Sequence, residues 1–351
     1  MDISLPQVNS RLTVFLILQK MQKRTKILLT LISLLPASMC VAGGVGAYQI
    51  LPWRIPEILF FRENGFAVLV HVRFPRVILS AVVGAMLAIS GATLQGIFRN
   101  PLADPGLIGV TAGAGLGATL WIVLVGGGAL GVWGLPIAAF ICGMFVTICV
   151  WKIAEGEGKV QTLTLLLAGI ALNSFAGAGI GLMTFLADEE ELRSLTFWLL
   201  GGFGGSTWPV VFITLPIAII GLFVLSRQAA ALNAMSLGES EAYHLGVSTD
   251  TLKRWSVFGV ALTVGAAVSA AGGIGFVGLV VPHLLRLLGG ADHRYVLPGS
   301  AVGGAVLIVL ADLFSRTVVA PAELPVGIVT ALIGGPFFLW LLLRFKREVF
   351  L

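Results

Sequence analysis

Long apolar segments follow one another along almost the whole chain, and this feature limits the possible folds more than any other. A transmembrane helix needs about 20 mostly apolar residues to cross the hydrocarbon core of a bilayer. Nine segments meet this length, and a shorter tenth follows a pair of glycines. The ten segments are 27–49, 77–98, 106–127, 132–151, 161–187, 207–226, 255–273, 274–289, 297–318 and 325–344. They predict an all-α polytopic membrane protein with about ten spans.

Charged residues are scarce, which agrees with a chain that lies mostly in lipid. Of the 351 residues, 57% are hydrophobic and 11% are charged, whereas a soluble domain carries about 25% charged residues. Glycine is frequent, with 45 residues, and small residues let transmembrane helices approach closely. The cysteines Cys40, Cys142 and Cys149 lie in apolar runs, and the four histidines have no metal-ligand spacing. The sequence therefore predicts no metal site and no cofactor.

The basic residues set the expected orientation, because cytoplasmic loops carry an excess of Lys and Arg. With both termini in the cytoplasm, ten spans leave few of the 22 basic residues outside. Those outside are Arg54, Arg62, Arg73, Arg76, Arg193 and Arg316. We expect a cytoplasmic tail at 1–26, a single transmembrane domain at 27–345 and a cytoplasmic tail at 346–351. Residues 1–20 are expected to form a frayed tail unless the chain begins at Met21, and a signal peptide at 20–45 is the alternative interpretation.

A polar stretch between residues 230 and 254 interrupts the apolar sequence, and the predicted topology places it in the cytoplasm between spans six and seven. Ser236 and Glu239 have the S-x-x-E spacing of a capping box, and Gly246 is a typical helix stop. The pattern predicts a helix of about two turns, preceded by a shorter helical piece, within 228–247. A solvated loop helix and a helix that seats in a partner protein both agree with this pattern.

No segment carries the chemistry of an enzyme or of an ion-coupled transporter. The glycine-rich pattern that binds nucleotide phosphates is absent, since residues 156–160 lack its first glycine and its hydroxyl residue. Asp312 is the main ionisable residue within a predicted span, and Arg316 follows one turn later as a partner, which favours structural pairing. We expect no enzymatic activity. A channel, a secondary transporter and the membrane half of a pump driven by a separate ATPase remain as classes, and the polar stretch favours the third.

Several long motifs resemble the FecCD-type permeases of bacterial ABC importers, which serve siderophores, haem and vitamin B12. They are RFPRVILSAVVGAMLAISGATLQGIFRNPLADPGLIGVTAGAGLGA at 73–118, LGESEAYHLGV at 237–247, GGIGFVGLVVPHLLRLLGGADHRYVLPGS at 272–300 and ADLFSRTVVAPAELPVGIVTALIGGPFFLWLLL at 311–343. The resemblance covers residues 25–345. The stretch LRSLTFWLLGGFGGSTW at 192–208 is most similar to the vitamin B12 permeases of the family, and siderophore and haem permeases are the alternative.

The resemblance implies an inner-membrane homodimer that works with two cytoplasmic ATP-binding subunits and a periplasmic substrate-binding protein. Membrane lipid surrounds such a protein, and no nucleic-acid partner is expected. By the same resemblance, residues 237–247 form a coupling helix that seats in the ATPase. The residues expected to take part in this coupling are Ser236, Leu237, Gly238, Glu239, Ala242, Leu245 and Gly246.

Two further sites follow from the resemblance. The loop between spans four and five is expected to close the cytoplasmic exit, with Thr162 and Leu163 as candidate gate residues. Gln161 and Leu163 depart there from the Ser- and Thr-rich pattern of the vitamin B12 permeases. On the outer face, Arg73, Arg76 and Arg316 are expected to bind acidic residues of the substrate-binding protein. Anchoring of these arginines at the membrane interface is the alternative.

Overall fold

A computed structural model describes residues 10–46, 48, 50–62, 64–126, 130–156 and 159–349 of the chain. Within these residues the backbone is almost entirely helical, with one short β-hairpin. The helices are α1 Ser10–Gly44, α2 Ile55–Phe61, α3 Phe74–Ile97, α4 Val110–Leu120, α5 Gly134–Ala154, α6 Thr162–Leu186, α7 Glu189–Leu200, α8 Trp208–Ser226, α9 Ala229–Met235, α10 Glu239–His244, α11 Thr249–Ala271, α12 Val277–Gly289, α13 His293–Ser315 and α14 Val326–Val349. The hairpin pairs β1 (Glu155–Gly156) with β2 (Lys159–Val160) in antiparallel register.

Eight helical segments of the described chain are long and apolar enough to cross a membrane. They are Gln19–Gly44, Val68–Ile97, Gly131–Ala154, Thr162–Leu186, Trp208–Ser226, Thr249–Ala271, His293–Ser315 and Val326–Arg344. Two shorter apolar helices, Val110–Val125 and Val277–Gly289, coincide with the third and eighth predicted spans. The all-α, multi-span architecture is therefore confirmed, and the number of ten spans stays a prediction.

The helix α3 forms the centre of the bundle, and small residues allow its neighbours to approach it closely. In the span that contains α3, 83% of the 18-residue segment with the highest hydropathy is buried. A Cβ atom on Gly84 would lie 2.2 Å from the carbonyl oxygen of Gly304 in α13, and one on Gly91 would lie 1.9 Å from that of Gly278 in α12. Such distances leave no room for a side chain, so the backbones of α3, α12 and α13 pack directly against each other.

The outer helices have the opposite character, because their large apolar side chains point away from the bundle. In α6 only 22% of the 18-residue segment with the highest hydropathy is buried. Phe175 and Phe185 are 74% and 85% exposed. In water, a continuous apolar surface of this kind would drive aggregation. Around a membrane protein it is the surface that lipid tails or a second subunit cover.

The N-terminal segment differs from the sequence expectation. Residues 10–26 continue α1 as helix, so a frayed tail at 10–20 is wrong and position 27 is not the start of an element; residues 1–9 lie outside the described part of the chain. The acidic run after α6 forms α7. The side chain of Asp188 accepts a hydrogen bond from the Glu191 amide at 2.8 Å. The side chain of Glu191 accepts one from the Asp188 amide at 3.0 Å. This is a complete capping box, which starts a helix despite three consecutive glutamates.

Candidate coupling and gating site

The polar stretch folds into two short helices, α9 and α10, at one end of the bundle. The β-hairpin lies at the same end, which we call the hairpin end. Gly246 has a left-handed φ of +84°. Its amide donates to the Tyr243 carbonyl at 2.9 Å, and the amide of Val247 donates to the Ala242 carbonyl at 3.0 Å. These two bonds are the Schellman arrangement that closes a helix, so the predicted stop at Gly246 is confirmed.

The predicted capping box at Ser236 and Glu239 is wrong. The hydroxyl of Ser236 donates to the carbonyl of Asn233 at 2.6 Å, one turn back in α9. Gly238, with a φ of +139°, precedes α10 without a side-chain cap. Glu239 instead forms an ion pair with Lys253 in α11 at 2.5 Å. A long-range charge pair has replaced the local cap, and the S-x-x-E spacing alone could not show this.

The residues expected to take part in coupling to an ATPase include both exposed and buried side chains. Leu237 and Leu245 are 66% and 63% exposed, and Tyr243, which the sequence did not single out, is 70% exposed. Ala242 is fully buried and packs α10 onto the bundle, so it offers no exposed surface of its own, and its expected part in coupling stays a prediction. The exposed side chains form an apolar and aromatic surface, which we call the α10 face and define as Leu237, Tyr243 and Leu245.

The helix α9 is fixed to the bundle through Asp292, the residue that caps α13. Asn233 donates to Asp292 at 2.8 Å, and Arg24 in α1 forms an ion pair with it at 2.7 Å. Burial by itself raises the pKa of Asp292. The hydrogen bonds from Asn233 and the Arg294 amide, together with the charge of Arg24, outweigh burial and hold the pKa below its ordinary value. An ionised Asp292 therefore joins α1, α9 and α13.

The candidate gate lies directly after the β-hairpin. Thr162 begins α6 and is half-buried, and Leu163 is 68% exposed. The preceding Val160 is held by α11 at both of its backbone groups. Its amide donates to Asp250 at 3.2 Å, and its carbonyl accepts from the Lys253 ammonium at 2.8 Å. The start of α6 is therefore positioned by the first turns of α11.

At the opposite end, which we call the arginine end, the predicted docking arginines are buried. Arg73, Arg76 and Arg316 are 4%, 8% and 9% exposed. Arg73 donates to the carbonyls of Gly43 and Gly44 at 2.8 and 2.7 Å. The expectation that these three are surface cations is therefore wrong in this structure.

The physical reason is that the last carbonyls of a helix have no intrahelical donor. Guanidinium groups satisfy those at the end of α1: Arg73 binds two of them, and Arg316 donates to the carbonyl of Ala42. Arg76 is bound instead by two acids. Its Nη2 lies 2.8 Å from Asp312 Oδ1, and its Nη1 lies 2.9 Å from both carboxylate oxygens of Glu323. The predicted pairing of Asp312 with Arg316 exists at 3.7 Å, and Arg76 is the closer partner.

A cavity of about 870 Å³ opens beside this cluster. Most of its wall comes from the end of α7, the glycine-rich turn after it, and the segment that leads into α14. Arg76 and Glu323 are the charged side chains among its lining residues, which otherwise are mostly apolar or glycine. Within the described chain, no three His, Cys, Asp or Glu side chains come together as a metal ion would require. The cavity can hold a large organic solute, with Arg76 and Glu323 as the charged groups in its wall.

Comparison with known proteins shows which family this chain resembles in sequence. The sequence profile of the FecCD transport family matches residues 30–344. The chain is 44% identical over 285 residues to the Hemin transport system permease protein HmuU of Yersinia pestis, covering 79% of this chain and 84% of that protein. It is 44% identical over 309 residues to the Cobalamin import system permease protein BtuC of Halobacterium salinarum, covering 86% and 80%. Identity to the Vitamin B12 import system permease protein BtuC of Citrobacter koseri is 40% over 288 residues, covering 82% and 86%.

Two solved structures agree with this assignment. A metal-chelate type ABC transporter in an inward-facing conformation superposes with a TM-score of 0.79 at 35% identity, covering 91% of this chain and 99% of that one. PsaBC from Streptococcus pneumoniae, solved in complex with Fab, has a TM-score of 0.52 at 18% identity and supports the fold alone. The chain thus belongs to the FecCD transport family, as a multi-pass inner-membrane permease of an ABC importer whose ATP hydrolysis is performed by a separate subunit.

Proposed function

We propose that this permease translocates vitamin B12, as a homodimer with two cytoplasmic ATP-binding subunits and a periplasmic substrate-binding protein. The observation that carries the substrate is the pair of cobalamin permeases at 44% and 40% identity over most of the chain. The wide, mostly apolar cavity supports it, because a large solute must pass without being held tightly. Haem is the second candidate, since HmuU is 44% identical; the metal-chelate type neighbour extends this alternative to siderophores.

The hairpin end faces the cytoplasm in this proposal, and the α10 face seats in the ATPase. Support comes from three exposed side chains, Tyr243 in α10 and Leu237 and Leu245 at its two ends, while the buried Ala242 packs α10 onto the bundle. A short, well-anchored helix with an apolar and aromatic outer surface suits the groove of a partner. The remaining predicted coupling residues, Ser236, Gly238, Glu239 and Gly246, shape and hold this helix.

Thr162 and Leu163 form the cytoplasmic gate in this proposal. The supporting observation is their position at the start of α6, directly beside the turns of α11 that follow the coupling segment. An exposed Leu163 can contribute an apolar constriction, which hinders the passage of water and of solutes.

The arginine end faces the periplasm and receives the substrate-binding protein. Because Arg73, Arg76 and Arg316 are buried, we propose that they act by shaping this surface. Arg76 and Glu323 both line the cavity, and Glu323, whose side chain is 47% exposed, is the more exposed of the two.

The substrate is tested with the complex of this permease, its own ATP-binding subunit and its own binding protein in proteoliposomes. We expect ATP-dependent uptake of radiolabelled cyanocobalamin that excess haemin does not reduce. Uptake of haemin without uptake of cyanocobalamin would replace vitamin B12 with haem. Complexes without the ATP-binding subunit serve as the control, and uptake in that control would contradict the ABC mechanism.

A further inference from the structure

Lys253 in α11 connects three parts of the hairpin end. Its side chain is almost fully buried, although an ammonium group is costly to remove from water. It donates to the carbonyl of Val160 in the hairpin at 2.8 Å and forms an ion pair with Glu239 in α10. A buried lysine with one neutral and one charged acceptor in different elements has a more specific task than filling space.

The connection to the hairpin is rigid. Asp250 and Lys253 lie three positions apart on α11 and bind the amide and the carbonyl of the same residue, Val160. The amide of Gln161 donates to Ala154 at 3.2 Å, which closes the base of the hairpin. Only Gln161 then separates Val160 from Thr162, so a shift of this part of α11 must carry the start of α6 with it.

The connection to α10 crosses a segment that can move as a unit. The six residues of α10 lie between Gly238 and Gly246, which both have left-handed backbone angles. Glycine adopts these angles at little cost, so such positions can absorb rotation of a short helix. The carboxylate of Glu239 extends from the first turn of α10 to Lys253, and its side chain is 44% exposed at the surface where a partner would bind.

We infer that Lys253 is the positioning residue that transmits movement of α10 to the gate at the start of α6. This inference rests on the proposed coupling and gating functions and adds the link between them. When the ATPase displaces α10, the Glu239–Lys253 ion pair carries the displacement into α11, and the two bonds to Val160 carry it to Thr162 and Leu163.

The test uses the purified complex with its ATP-binding subunit, in lipid nanodiscs. Cys40, Cys142 and Cys149 are replaced by alanine, and Leu163→Cys reports the gate through its rate of reaction with a maleimide, with and without ATP. We expect Lys253→Met to reduce the ATP-dependent change in this rate by at least about fivefold, the lower end of typical coupling between sites. Lys253→Arg, which keeps the charge, should restore most of it.

Glu239→Gln is the second variant and separates transmission from a merely structural role. It weakens the link to α10 but leaves both bonds to Val160 in place. A structural role for Lys253 predicts a normal ATP response in Glu239→Gln, whereas transmission predicts its loss. In a variant that combines Lys253→Met with Glu239→Gln, the two losses of ATP response should not add, because both substitutions break the same connection from α10 to the gate. The control is Arg254→Met, since the Arg254 side chain is 69% exposed and lies 4.0 Å from Glu155 of the same hairpin.

The outcomes distinguish this inference from the proposed function. A parent complex in which the Leu163→Cys reporter reacts at the same rate with and without ATP would refute the proposed gate and the inference with it. A parent that responds, together with Lys253→Met or Glu239→Gln variants that respond equally, would overturn the inference alone. Co-purification of the ATP-binding subunit with each variant verifies that assembly is intact.

Discussion

Arg76 and Asp312 form a buried ion pair although 236 positions separate them in the sequence. The Nε atom of Arg76 lies 3.0 and 3.1 Å from the two carboxylate oxygens, and Nη2 lies 2.8 Å from one of them. The pair joins α3 to α13 where both helices reach the arginine end. The second acid on Arg76, Glu323, extends the connection to the segment before α14.

We expect Asp312→Ala to destabilise the protein strongly. Removal of one member of a buried pair leaves the other charge without compensation and typically costs about 3–5 kcal/mol of stability. This range is an upper bound for Asp312→Ala, because Glu323 still binds Arg76. Thermal unfolding of the detergent-purified chain, followed by tryptophan fluorescence, measures the loss. The control is Lys152→Met, which breaks an exposed pair with Glu155 that is worth about 0–1 kcal/mol. Equal midpoints for the two variants would contradict the structural importance of the buried pair.

The two S/D-x-x-E sequences provide a second test. Asp188 caps α7 with both bonds of a capping box, and loss of such a cap costs about 0.5–2 kcal/mol. Ser236 makes no bond to the α10 amides, and its hydroxyl donates to Asn233. We therefore expect Asp188→Ala to lower the thermal midpoint and Ser236→Ala to leave it nearly unchanged. The reverse order would show that the capping box predicted from the sequence forms after all.

Local sequence patterns predicted part of this structure. Hydropathy located the spans, because each apolar segment must form its backbone hydrogen bonds internally within lipid. Gly246 indicated a helix stop, because the conformation there depends on only a few neighbouring residues. The S-x-x-E spacing at Ser236 also fits the local rule for a capping box. Glu239 nevertheless pairs with Lys253, a residue of another helix, and forms no cap. A pattern of four residues contains no information about such a competitor.

The arginines failed as predicted surface cations for a related reason. Their position near the ends of predicted spans was right, and the sequence could not show that the carbonyls at the end of α1 accept hydrogen bonds from Arg73 and Arg316. Lys253 and Arg254 are adjacent basic residues at the end of the polar stretch, and only the packed structure shows that Lys253 is buried. A lysine within an apolar surface stripe of a predicted helix is the signal that could have found it.

The pKa of Asp292 predicts an acid-sensitive junction between α1, α9 and α13. Its folded pKa lies below the ordinary value of 3.8, so ionised Asp292 stabilises the fold at pH above that value, and this contribution is lost as the pH falls through the folded pKa. Asp292→Asn should therefore reduce the difference in thermal midpoint between about pH 5 and pH 3. Asp188→Asn, at an exposed cap, is the comparison. An unchanged pH dependence in Asp292→Asn would show that other carboxyl groups account for it.

The last prediction concerns the α10 face. Tyr243 is 70% exposed, and a tyrosine that becomes buried in a partner's groove is a typical hot spot, worth about 2 kcal/mol or roughly a 30-fold change in Kd. We expect Tyr243→Ala to weaken binding of the ATP-binding subunit by this amount, measured by titration of the nanodisc-embedded permease. Thermal stability should change little, because the side chain lies outside the packed core.

The matched control is Tyr48→Ala, which removes another exposed tyrosine, 49% accessible, near the arginine end. Its backbone carbonyl accepts a bond from Arg73, and the substitution leaves that carbonyl in place. If the α10 face binds the ATPase, Tyr48→Ala retains full affinity for the ATP-binding subunit while Tyr243→Ala does not. Equal affinities for that subunit would remove the α10 face from the coupling surface, and equal losses would mean that both substitutions act through the fold.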